Sequence, residues 1–143
     1  MEDERKLAVD LFNAVWALLD KGDRTPGEDA EMVHTAHASV YHWSRVGTHE
    51  NLARGEWQVS RVYSVLGRAE PALWHARRCL ALCERHGMTD WDLGFAHEAM
   101  ARAYAVAGGP VLARQHVEAA RAVPVKEDED RVLLLADLAT VPV

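Results

Sequence analysis

The fold is decided by two copies of one short stretch, RVYSVLGRAEPA at residues 61–72 and RAYAVAGGPVLA at residues 102–113. In each copy a glycine separates two segments that have the 3.6-residue apolar periodicity of helices. A shift of 41 residues superposes the copies and aligns Arg61, Tyr63, Val65, Gly67, Ala72, His75 and Ala81 with Arg102, Tyr104, Val106, Gly108, Ala113, His116 and Ala122. A repeat of this length predicts stacked helical hairpins, each of which buries its apolar face against the next.

Helix start and stop signals extend this pattern towards both ends of the chain. Thr25, Pro26 and Glu28 combine a capping box with proline in the first turn. Thr89 and Asp92 predict a capping box for the fifth helix, and the acidic run 127–130 lies where the helix dipole favours carboxylates. Breaks are expected at Gly22, Gly47, Gly67, Gly87, Gly108–Gly109 and Pro124. The sequence therefore predicts an all-α fold of about seven antiparallel helices, in three hairpins plus a C-terminal capping helix, as a single domain over residues 1–143.

Composition narrows the class of protein. The chain has 143 residues, of which 49% are hydrophobic and 27% charged, so one domain with a sizeable core is expected. A formal charge of -6 argues against nucleic acid and anionic membranes as partners. No run of residues reaches the roughly 18 apolar positions of a membrane helix, and the first residues are too polar for a secretory signal. We therefore expect a soluble cytoplasmic protein.

The repeat resembles the tetratricopeptide repeat (TPR), a helix-turn-helix unit that stacks into a superhelix. The resemblance is carried by Tyr63, Gly67, Ala72 and Cys79 and again by Tyr104, Gly108, Ala113 and Ala120. It covers residues 50–123 well and residues 5–47 loosely, with a period longer than the usual 34 residues. Glu56 and His97 stand where the family has tryptophan. The whole chain also resembles small bacterial TPR-like proteins.

The resemblance implies that the first helix of each hairpin lines a concave groove. The family's positional pattern places these side chains there: Phe12, Trp16, Arg54, Trp57, Arg61, Phe95, Glu98 and Arg102. Arg61 and Arg102 are equivalent residues one repeat apart, so their guanidinium groups could flank one anionic ligand, beside the ring of Trp57. The candidate ligand-binding set is therefore Trp57, Arg61, Glu98 and Arg102. The alternative is that these arginines only pair with Glu56 or Glu98.

Histidine and cysteine form two weaker candidate sites. His34 and His37 are three residues apart on the second helix, and His75, Cys79 and Cys83 follow one face of the fourth. Such residues can bind zinc or copper, but a site needs further ligands that the sequence does not identify. We therefore expect no bound metal and no cofactor, and no catalytic residue is predicted. His97 beside Glu98, or near Glu56, is the one acid–base pair considered.

These features favour an interaction module that binds a protein or peptide segment, or a small anionic ligand, in its groove. The alternative function is a small all-α enzyme or metal-binding protein that uses His, Cys and Glu side chains of the helical interior. The seventh helix is apolar on more than one face, through Val132, Leu133, Leu134, Leu135 and Leu138. We therefore also expect a homodimer or another protein partner on that helix.

Overall fold

The computed structural model describes residues 2–143, and these residues form seven α-helices and no strand. The helices are α1 (Glu2–Leu19), α2 (Pro26–Val46), α3 (His49–Val65), α4 (Ala69–Arg85), α5 (Trp91–Val106), α6 (Pro110–Arg121) and α7 (Asp128–Leu138). The prediction of an all-α, seven-helix chain is confirmed. None of the helices in the described part of the chain has the length and hydropathy that a membrane span requires.

The helices pack as three consecutive hairpins. α1 packs on α2, α3 on α4 and α5 on α6, while α2 contacts α3 and α4 contacts α5. The first helices of the hairpins also contact one another, α1 with α3 and α3 with α5. They therefore line one common face, which we call the concave face. α7 follows the third hairpin and packs on α5.

The two copies of the repeat turn in the same way. Gly67 and Gly108 have φ angles of 72° and 80°, in the left-handed region that only glycine enters without strain. In the first turn the Arg68 amide donates to the Tyr63 carbonyl at 2.8 Å, and in the second the Gly109 amide donates to that of Tyr104 at 2.9 Å. Both hairpins thus close with the same helix-terminating hydrogen bond.

Of the two capping boxes that the sequence predicts, one is present in the structure and the other is not. Thr25 and Glu28 form the predicted capping box of α2. The capping box predicted from Thr89 and Asp92 is wrong, because Asp90 is the N-cap of α5 and makes no side-chain cap hydrogen bond. Asp92 instead accepts two hydrogen bonds from Arg54 of α3. Asp92 therefore pairs with Arg54, which is distant in sequence, and does not cap its own helix.

Small residues hold the helices close together. Ala72 and Ala113, which are equivalent in the repeat, are both completely buried. The Ser60 hydroxyl of α3 donates to the Ala72 carbonyl of α4 at 2.9 Å, so a short side chain of α3 reaches the backbone of α4. A side chain at Gly94 of α5 would place its Cβ 2.5 Å from Leu134 of α7. Leu134 itself is 2% exposed, so α7 is seated directly on the α5 backbone.

Candidate functional site

The four predicted ligand-binding residues lie together around one buried carboxylate. Glu98 of α5 is completely buried, and its Oε1 accepts a hydrogen bond from Trp57 Nε1 at 2.8 Å. Its Oε2 accepts from Arg102 Nε at 2.7 Å and from Arg61 Nη2 at 3.3 Å. The 41-residue repeat therefore brings Arg61 and Arg102 to the same point, as expected from their equivalence. The group that they share is a carboxylate of the chain itself.

A second carboxylate of the chain completes this cluster. Asp137 of α7 accepts hydrogen bonds from Arg61 and Arg102, and its carbonyl oxygen accepts from Arg102 Nη2 at 3.1 Å. The side chains of Arg61 and Arg102 are only 14% and 12% exposed. Two guanidinium groups thus face two carboxylates, and the cluster carries no net charge. The Asp137 carboxylate thus binds both arginines, in the role that the sequence predicts for an anionic ligand.

The pKa of Glu98 reflects these opposing influences. Burial raises its pKa, and the negative charge of Asp137 acts in the same direction. Arg61 and Arg102 lower the pKa, as does the hydrogen bond from Trp57. The net pKa lies above the ordinary value, because removal from water disfavours the charged form of a fully buried carboxylate.

Next to this cluster, the concave face contains a cavity of about 270 Å³. Its wall is mainly aromatic, and the rings come from three helices: Phe12 and Trp16 of α1, Trp57 of α3, and Trp91 and Phe95 of α5. Trp57 lies 5.6 Å from both Trp16 and Phe95 between ring centroids, and Trp91 lies 5.8 Å from Phe95. Ala53 and the buried Cys79 complete the apolar part of the lining. The rings are thus fixed in contact with one another.

The polar edge of the cavity is one ion pair. Arg54 Nε and Nη2 donate to the two Asp92 oxygens at 2.9 and 3.1 Å. The Arg54 guanidinium also lies 4.6 Å from the centroid of Trp91, while that of Arg61 lies 5.1 Å from Trp57. Both cations therefore contact a tryptophan ring and a carboxylate at once.

The sequence identifies part of this lining. Phe12, Trp16, Arg54, Trp57 and Phe95 are all expected in the groove, and all five line the cavity. Sequence reasoning missed Trp91, Asp92, Cys79 and Asp137. Trp91 lies four residues before Phe95, so helical spacing already places both on one face of α5. For Asp137 the available signal was an acidic residue between the buried leucines Leu134 and Leu138.

The candidate metal ligands do not gather at one point. His37 and His75 lie in edge contact, 5.2 Å between ring centroids, but His37 Nε2 is 2.8 Å from the Tyr63 hydroxyl and His75 Nδ1 is 2.6 Å from Glu56 Oε1. Within residues 2–143, no group of three or more His, Cys, Asp or Glu side chains is arranged to hold a metal ion. Cys79 and Cys83 are buried free thiols. Their mutual hydrogen bond raises the pKa of Cys79, and burial raises it further.

Glu56 and His97, which are equivalent in the 41-residue repeat, both pair with a histidine of the following helix. Glu56 is paired with His75, and its repeat equivalent His97 lies 3.0 Å from His116 between the Nδ1 atoms. Tyr63 stacks on His75 and Tyr104 stacks on His116 in the same way, at 5.9 and 5.7 Å. The second and third hairpins therefore each join their two helices through a histidine that is hydrogen-bonded between them. The acid–base pair considered from sequence, His97 with Glu98 or Glu56, is not formed, since both glutamates bind other partners.

No family model matches this chain, and neither the curated proteins nor the solved structures include a significant match to it.

Proposed function

We propose that this chain is a TPR-like interaction module that takes an apolar side chain of a partner protein segment into the aromatic cavity. The observation that carries the proposal is the cavity itself, a space of about 270 Å³ with five aromatic rings in its wall. Tryptophan is one of the residue types that are enriched at the binding hot spots of protein interfaces. A cleft lined mainly by apolar and aromatic side chains is also the usual form of a binding site.

The packing of α7 supports a peptide as the occupant. Gly94 of α5 is the repeat equivalent of Ala53 of α3, which lines the cavity. Leu134 of α7 lies on Gly94, and Asp137 reaches Arg61 and Arg102 one turn further on. A helix of the chain thus occupies the concave face at the third hairpin. The proposed partner would use the aromatic cavity one repeat earlier, whose lining includes no residue of α7.

An anionic ligand between Arg61 and Arg102 is less well supported. Both arginines are engaged by Glu98 and Asp137 of the same chain. A ligand carboxylate would have to displace Asp137 to reach them. The enzyme alternative has one supporting contact, the Glu56–His75 pair, but neither residue is among those that line the cavity.

The proposal is tested by selecting displayed random peptides against the wild-type chain and against an Ala53→Leu variant whose larger side chain fills the cavity. Peptides with a large apolar anchor residue should be enriched by the wild type and bind the filled variant at least about tenfold more weakly. Trp74→Ala removes an exposed tryptophan outside the cavity and serves as the matched control. Absence of enrichment, or equal binding to the filled variant, would refute the proposal.

A further inference from the structure

The charges around the cavity restrict what can occupy it. Trp57 and Trp91 each already contact a guanidinium group, that of Arg61 and that of Arg54. A cationic group in the cavity would therefore meet the like charge of Arg54 in the lining, and would compete with Arg54 and Arg61 for the tryptophan rings. The same two arginines are bound to carboxylates, Arg61 to Glu98 and Asp137 and Arg54 to Asp92. An anionic group would consequently find its partners occupied. The electrostatics favour an uncharged occupant.

The arrangement of the rings distinguishes aromatic from aliphatic occupants. Phe95 is edge-on to both Trp57 and Trp91, with interplanar angles of 82° and 87°. Ring edges and ring faces carry opposite partial charges and attract one another in this geometry. A guest ring can continue the pattern, whereas an aliphatic group gains only dispersion and burial. Such aromatic pairs contribute about 0.5–1.5 kcal/mol beyond burial, which is about 2- to 12-fold in affinity.

The volume of the cavity sets the size of the guest. A closed apolar cavity of about 150 Å³ in another protein holds one benzene molecule. The cavity here has about 270 Å³, which is enough for a two-ring group. Trp57 Nε1 already donates to Glu98, and the thiol of Cys79 is hydrogen-bonded with Cys83. Neither wall group requires a polar atom from the guest.

We infer that the cavity selects an uncharged aromatic side chain, tryptophan or phenylalanine, of the partner segment. This inference rests on the proposed function, since it specifies the anchor residue of the segment that the module binds. The aromatic wall supplies the selectivity, through Trp16, Trp57, Trp91 and Phe95. Arg54 and Arg61 exclude cations by covering the tryptophan rings.

The test uses amino-acid amides as probes of the anchor residue. The indole N–H signals of the five tryptophans are followed by NMR during titration with the N-acetyl amides of tryptophan, phenylalanine, leucine and lysine. Trp16, Trp57 and Trp91 line the cavity and should shift saturably, while Trp43 and Trp74 lie outside its lining and are internal references. The aromatic amides should bind about 3- to 10-fold more tightly than the leucine amide, and the lysine amide more weakly still.

Two variants block the cavity, and because Ala53 and Cys79 are also buried in the core, retention of the fold is read from unchanged Trp43 and Trp74 signals. Ala53→Leu and Cys79→Leu fill the cavity from different helices, and each should abolish the three shifts while Trp43 and Trp74 keep their wild-type positions. Equal or tighter binding of the leucine amide would overturn the aromatic selectivity, even if peptide selection succeeds. The selectivity is also overturned if a selected peptide binds but no aromatic amide shifts the three signals. Failure of both the peptides and the amides would instead overturn the proposed function.

Discussion

At the scale of single residues, the buried carboxylate of Glu98 joins Trp57, Arg61 and Arg102 through hydrogen bonds. Replacing Glu98 with glutamine would leave Arg61 and Arg102 sharing the single charge of Asp137, with both cations nearly removed from water. Loss of one partner from a buried ion cluster strands the others, so we expect the free energy of unfolding to fall by about 3–5 kcal/mol. Urea denaturation followed by far-UV circular dichroism measures this change.

The matched control is Glu118→Gln on α6. Glu118 also pairs with an arginine, Arg121, but its side chain is 70% exposed. This variant should change the free energy of unfolding by less than about 0.5 kcal/mol. A loss at Glu98 no larger than the loss at Glu118 would show that the cluster contributes little to the fold.

A pH dependence follows from the histidine pair of the third hairpin. Burial lowers the pKa values of His97 and His116, and the charge of His97 lowers that of His116 further, while Glu84 opposes the shift at His97. A histidine with a lowered folded-state pKa binds fewer protons than in the unfolded chain, so stability rises with pH. We expect stability to be fully present above the unfolded-state value of about 6.5 and to fall as the solution is acidified below it. Urea denaturation at a series of pH values measures the slope.

His97→Gln is the informative variant for this prediction. Glutamine keeps a hydrogen-bonding group opposite His116 but cannot be protonated, so the loss of stability on acidification should become smaller. His34→Gln removes a histidine of α2 outside this pair; its charge acts only on His37, so this variant should change the slope less than His97→Gln does. If His97→Gln and His34→Gln give the same slope as the wild type, the pair does not sense pH.

The candidate site was predictable from sequence only as far as the repeat extends. Equivalent positions indicate Trp57, Arg61, Glu98 and Arg102, and these four residues do meet. The repeat carries no information on where a helix outside it will pack. Asp137 therefore could not be assigned to the cluster, although its charge decides that the arginines are already paired.

At the scale of the helices, the hairpin turns depend on two equivalent glycines. Gly67 and Gly108 have left-handed backbone conformations, and a Cβ at either position would meet open space. The cost of Gly67→Ala and Gly108→Ala is therefore conformational alone, about 1–2 kcal/mol at each turn. Thermal unfolding should show two similar losses. Gly22→Ala is the control, since Gly22 also faces open space but lies outside the left-handed region. A loss at Gly22 equal to the others would contradict the explanation.

Helix boundaries were predictable where the signals are local. Thr25 and Glu28 are three residues apart, and their capping box depends on that spacing alone. Thr89 and Asp92 have the same spacing, yet Asp92 pairs with Arg54 on α3. A charge-assisted pair with two parallel hydrogen bonds is stronger than a single cap. Local patterns therefore predict helix starts only where no tertiary partner competes for the capping side chain.

At the scale of the whole molecule, the concave face is divided into a covered part and an open part. α7 covers the part formed by the third hairpin, with Leu134 on Gly94 and Asp137 on the paired arginines. The part formed by α1, α3 and α5 retains the aromatic cavity. Trp57 lines the cavity and donates a hydrogen bond to Glu98. The ion cluster therefore also holds one wall of the proposed binding site in place. Stability and binding are therefore expected to share residues at this boundary.

The outer face of α7 leads to a prediction about assembly. Leu134 and Leu138 are buried against the third hairpin, while Val132, Leu133 and Leu135 on the same short helix are 64%, 62% and 43% exposed. Adjacent exposed apolar side chains are typical of a surface that contacts another protein. We therefore expect the chain to self-associate through α7 as its concentration rises from low to high micromolar, as measured by light scattering after size exclusion.

Leu133→Lys places a charge at the centre of this face without touching the residues that α7 buries. If α7 is the contact, this variant should remain monomeric at concentrations where the wild type associates, with the same melting temperature at low concentration. Leu7→Lys, at a 44% exposed leucine of α1, should associate as the wild type does. A wild type that stays monomeric at high micromolar concentration would contradict the prediction. Equal association of the wild type and Leu133→Lys would place the contact elsewhere, because a lysine opposed to its symmetry-related copy disfavours a shared apolar interface.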